Sequence, residues 1–165
     1  MAQITNMPSG FSPVWIYDVT HPVGIKWYSY KDDVKLVQYS LNKVMAKAPL
    51  ADYTAKPTIG PMGAQYPPLA PLVVDGIFGK KSHAALQAYQ KTSIFGSRSV
   101  LPDGQADPVY KYVAGLKGDP VSARYLKLYT GLFGFTMYKL GKDIVALYGT
   151  MLKDEELPQE VRRAL

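Results

Sequence analysis

At 165 residues and 18.2 kDa the chain has the size of one domain, and its 47% hydrophobic and 19% charged composition suffices for a packed core. It contains no cysteine, which excludes disulfides, iron–sulfur clusters, thiolate zinc sites and cysteine nucleophiles, and two distant histidines do not make the usual three-ligand set of a catalytic zinc. The net charge of +6 suits an anionic polymer or an acidic protein surface. Fifteen Lys against four Arg, with adjacent pairs at Lys80–Lys81 and Arg162–Arg163, argue against readout of nucleic acid.

Residues 1–30 are rich in β-formers. The runs 14–19 and 25–30 flank a Pro/Gly turn at 20–24, so the spacing predicts a β-hairpin arm. A two-stranded hairpin is marginal alone and must pack on the body or on a partner. Trp15, Trp27 and Tyr28 are the candidate contacts of this arm. The first seventeen residues carry no Lys or Arg and lack a leucine-rich run, so no signal peptide is expected and the product is expected to be made soluble in the cytoplasm.

A helix is predicted from Asp32-Asp33, either of which can cap it. Val34, Val37, Leu41 and Val44 form its apolar stripe, with Lys35, Lys43 and Lys47 off it, and Pro49 ends it. The stretch 49–71 holds six prolines and reads as a long loop without regular structure, with Tyr53 and Tyr66 as aromatic handles.

The run from Val73 to Gln90 carries the most specific signal. Asp75-Gly76 marks a turn, Phe78 sits between glycines, and the following helix turns Ala85, Leu86 and Tyr89 inward, with His83 placed on its exposed side. Asp103-Gly104 is a second such turn. Asp107-Pro108 then starts a short helix carrying Val109, Tyr112, Val113 and Leu116.

These residues resemble the three-helix peptidoglycan-binding domain-like family. Val34, Val37, Gln38 and Leu41 match its first helix. Asp75, Gly76, Phe78, Gly79, Ala85, Leu86, Tyr89 and Gln90 match its central motif, and Asp103 and Gly104 match its last turn. Lys80 replaces the family's proline, Ser82 its threonine, and the insertion 49–71 is longer than its normal link. The resemblance covers about residues 32–116 and implies the fold more directly than a ligand, because the matching positions are turn and core residues. Gln38, Gln90, Asp75 and Asp103 are each able to reach a muropeptide or to brace a turn, and Tyr53 and Tyr66 join them as candidate glycan or partner contacts.

Residues 119–165 begin at a second Asp-Pro helix start and continue apolar on several faces. Gly131, Gly134, Gly141 and Gly149 fit close packing or breaks near Gly134 or Gly141. This segment reads as a helical hairpin closing the core, an oligomerisation or docking element, or a membrane-associated one. Leu128, Leu132, Phe133 and Phe135 are its candidate interface residues.

The organisation expected is therefore mainly α: an arm over 1–30, a peptidoglycan-binding-like domain over 31–118 and a helical extension over 119–165. No membrane span is expected, since the longest apolar stretches are Pro-interrupted or short. No catalytic, metal or cofactor site is expected. Glu155, Glu156 and Glu160 are the sole glutamates, confined to the tail, and no Gly-x-Ser-x-Gly elbow or phosphate loop is present. The function expected is that of a non-catalytic structural component of a bacteriophage particle or similar assembly, contacting its own kind or other subunits, with peptidoglycan of the cell wall as a further candidate partner. The alternative is a free-standing peptidoglycan-binding protein.

Overall fold

A computed structural model describes residues 3–7, 14–25, 29–92, 103–109, 136–149, 157 and 159–162. The described chain is helix-rich with two small antiparallel sheets. In order it runs β1 (Gln3–Met7), β2 (Val14–Asp18), α1 (Lys31–Lys47), β3 (Thr58–Gly60), β4 (Gly63–Gln65), α2 (Lys80–Lys91), α3 (Thr136–Tyr148) and α4 (Gln159–Arg162). α1 packs against α2, α3 and α4, and β2 packs on α3. No helix among the described residues is long and apolar enough to cross a membrane.

α1 forms as its sequence periodicity requires. Val34, Val37, Leu41 and Val44 are all fully or nearly fully buried, and the helix stops at Ala48, before Pro49. Leu36 and Lys35 are buried as well, so the buried face is wider than the stripe, and Lys35 is not the solvated residue its spacing suggests. Neither expected aspartate caps this helix: Tyr30 occupies the cap position without a side-chain bond. Asp33 instead turns away and accepts from Thr20 N–H (3.1 Å), Thr20 Oγ1 (2.9 Å) and His21 N–H (3.1 Å).

The arm does contain a hairpin. β2 pairs with β1, in the register Gln3↔Asp18 to Met7↔Val14, while the centre of the other expected strand, 25–30, lies outside the described residues. Past Asp18 the chain is drawn into the body by Asp33, and Val23 exchanges two backbone bonds with Ala106 at 3.0 and 2.9 Å. Asp18, fully buried, accepts Val109 N–H with both oxygens (3.1 and 2.9 Å), so this N–H is held by a residue far off in sequence. The expected helix beyond Val109 lies outside the described residues.

The Pro-rich stretch contains a short hairpin, contrary to the expectation of no regular structure there. Leu69 N–H donates to Leu50 O (2.8 Å) and Asp52 N–H to Pro67 O (2.7 Å), closing a neck. Asn42 on α1 holds Leu72 at both its N–H and its carbonyl (2.7 and 2.8 Å). At the tip, β3 and β4 pair around Pro61-Met62, where Gly63 at φ +99° supplies the left-handed turn residue. Prolines outside the strands leave these few N–H groups free to pair.

α3 closes the core. Met137, Leu140 and Ile144 join Val34, Leu41, Leu86 and Tyr89 in one buried cluster, so this part of the C-terminal segment is core-forming. The helix continues through Gly141 without a break and ends at Gly149, whose φ is +74°.

Candidate functional site

The two Asp-Gly turns are built alike. At the first, Gln38 Nε2 donates to Asp75 Oδ1 (3.0 Å), Ile77 O (3.1 Å) and Ser82 Oγ (3.1 Å), while its Oε1 accepts Gly76 N–H (3.0 Å). At the second, Gln90 Nε2 donates to Asp103 Oδ1 (3.1 Å), Gln105 O (2.8 Å) and Thr136 Oγ1 (3.0 Å), and its Oε1 accepts Gly104 N–H (2.8 Å). Each aspartate also accepts the N–H two residues on, from Ile77 (2.8 Å) and Gln105 (2.9 Å). A glutamine on one helix thus clasps a turn and a hydroxyl on another helix, from α1 to Ser82 of α2 and again from α2 to Thr136 of α3.

The glycines complete each clasp. Gly76 and Gly104 have φ of +78° and +71°, and a Cβ on either would collide with the preceding helix, at Lys31 and His83 respectively. Lys31 and His83 each stand two helical turns ahead of the clasping glutamine. His83 is therefore not on an open face. Its ring lies against Gly104 and edge-on to Phe78 (6.4 Å), and its Nδ1 is buried without a hydrogen-bond partner.

These contacts fix what the sequence candidates can do. Gln38 and Gln90 are 1% and 0% exposed with their amides fully used, so both brace turns. Asp75 is exposed, and the Ile77 N–H followed by the Gln38 amide holds its carboxyl below the usual range. Asp107, beyond the second turn, goes the other way, raised by burial and then by the charge of Asp103. Among the described residues no three His, Cys, Asp or Glu side chains come together in a metal-binding group.

Tyr53 and Tyr66, by contrast, are brought together at the neck of the Pro-rich excursion. Their ring centroids are 5.0 Å apart at 59°, both rings are part-exposed, and Lys91 Nζ lies 5.2 Å from the Tyr53 centroid. Beyond the neck, Ile59 and Met62 are 78% and 93% exposed, and Val73 and Ile77 are also solvent-facing. Trp15 sits opposite Asn6 in the β1–β2 ladder. Trp27, Tyr28, Leu128, Leu132, Phe133 and Phe135 lie outside the described residues.

One polar cluster had no counterpart among the sequence candidates. Tyr89 Oη donates to Asp143 Oδ2 at 2.6 Å, and Lys139 Nζ donates to the same oxygen at 2.9 Å, with all three residues buried. Lys139 Nζ also lies 5.2 Å from the Tyr89 ring centroid. Burial, then the Asp143 charge and hydrogen bond, push the Tyr89 hydroxyl well above its ordinary pKa of 10.0. The i,i+4 spacing of Lys139 and Asp143 was visible, but it reads as an ordinary surface pair. No family model, characterised protein or solved structure matches the chain.

Proposed function

We propose that this chain is a non-catalytic structural component of a larger assembly, such as a bacteriophage particle, built on a peptidoglycan-binding-like core. The observation that carries the reading is the fate of the motif: its two glutamines are buried in turn clasps, while Val73 and Ile77 beside the first turn and Ile59 and Met62 on the hairpin face solvent. Ile59 and Met62 project from a hairpin with no exposed charge on its strands, which suits contact with another subunit. Sedimentation velocity on the full chain tests this. Concentration-dependent association that weakens in an Ile59→Asp, Met62→Asp variant is expected, together with no release of dye from labelled peptidoglycan.

A second reading, a free-standing cell-wall-binding protein, is favoured by the part-exposed Tyr53–Tyr66 pair beside Lys91. A well-behaved monomer retained by purified sacculi at moderate salt would replace the first reading with this one.

A further inference from the structure

We infer that the neck of the excursion is a binding site for an acidic saccharide, with a sugar ring on the Tyr53–Tyr66 faces and its carboxylate at Lys91. The inference rests on the second reading, binding of a glycan, and assigns it to a place outside the three-helix motif. The site is held in shape from below. Asp52 N–H donates to Pro67 O (2.7 Å), and Thr54 donates to Asp52 Oδ1 from both its N–H (2.9 Å) and its hydroxyl (2.5 Å). These bonds fix Tyr53 on one strand of the neck and Tyr66 across from it, so the rings are placed before a ligand arrives.

The electrostatics favour one negative charge. Lys91 is exposed at the end of α2, and no carboxylate among the described residues pairs with its ammonium. The nearest acid on the neck, Asp52, is turned into its own Thr54 donors, first the hydroxyl and then the N–H, which lower its pKa. The ring geometry selects the ligand class. Rings inclined at 59° leave no parallel-walled slot for a flat nucleobase, but offer two apolar faces, edged by hydroxyls, to a puckered sugar. A single lysine matches a carboxylate on one sugar better than the closely spaced phosphates of a nucleic acid.

NMR titration of the full chain with an oligogalacturonide, its methyl ester and a single-stranded oligonucleotide of similar length tests the assignment. Saturable shifts with the acid are expected, weakened about tenfold by Tyr53→Ala or Tyr66→Ala. Lys91→Gln should remove the preference for the acid over the ester. Because Lys91 is exposed, this variant remains informative if a tyrosine variant fails to fold. Equal binding of acid and ester, tighter binding of the oligonucleotide, no saturation, or folded variants that bind like the parent would each overturn the site. Sacculus retention that survives the double tyrosine variant would overturn this site while leaving wall binding itself standing.

Discussion

Gln38 and Gln90 hold equivalent positions, each buried on its helix and each accepting the glycine N–H of an Asp-Gly turn, at 3.0 and 2.8 Å. Each also donates to a hydroxyl on a helix further along the chain, to Ser82 from Gln38 and to Thr136 from Gln90. The chain thus applies one joint twice, with α2 serving as the receiving helix of the first and the clasping helix of the second.

Replacing Gln90 by Glu keeps the shape and reverses one end of the joint. An acceptor would then face Asp103 Oδ1 and Gln105 O, which now receive bonds at 3.1 and 2.8 Å. The expected loss is about 3 kcal/mol, from buried acceptors left unpaired. Burial and the Asp103 charge would raise the folded-state pKa of the new carboxyl above its unfolded value of about 4.3. Stability is therefore best retained below that value and falls as pH rises through the folded pKa. Urea midpoints across the weakly acidic range, compared with the parent, check the sign.

Gly104→Ala should damage the second joint by a clash that a second substitution can relieve, whereas Gly76→Ala should not. Both substitutions impose a left-handed conformation costing about 1–2 kcal/mol. At Gly104 the new methyl meets side chains alone, the His83 ring first, whereas at Gly76 it meets the Lys31 backbone carbonyl oxygen as well as the Lys31 side chain. His83→Ala should recover part of the Gly104→Ala loss and none of the Gly76→Ala loss. A double-mutant cycle by urea unfolding measures the difference.

What could be read from the sequence was local. Val34, Val37, Leu41 and Val44 declared α1 by spacing, and the Asp-Gly pairs declared their turns because glycine alone fits a φ near +75° without strain. What could not be read depends on partners distant in the chain. Asp33 looks like a cap until Thr20 is placed beside it, and residues 20–24 look like a plain turn until Val23 is tied to Ala106. At the candidate site, Tyr53 and Tyr66 stood out as aromatic handles, but Lys91 carried no signal because its position depends on where α2 meets the neck. The clasping role of Thr136 was hidden by the long stretch that separates it from Gly104.

Lys139, Asp143 and Tyr89 should behave as a unit. Lys139→Met alone leaves a buried carboxylate with the Tyr89 hydroxyl but no cation, and a loss of about 3–5 kcal/mol is expected. The combined Lys139→Met, Asp143→Leu, Tyr89→Phe variant should be close to the parent or more stable, since no unpaired charge or hydroxyl remains. The parent should also lose stability as pH rises above about 10, where the unfolded tyrosine ionises and the folded one, with its raised pKa, does not. Tyr89→Phe should flatten that alkaline limb in thermal unfolding scans.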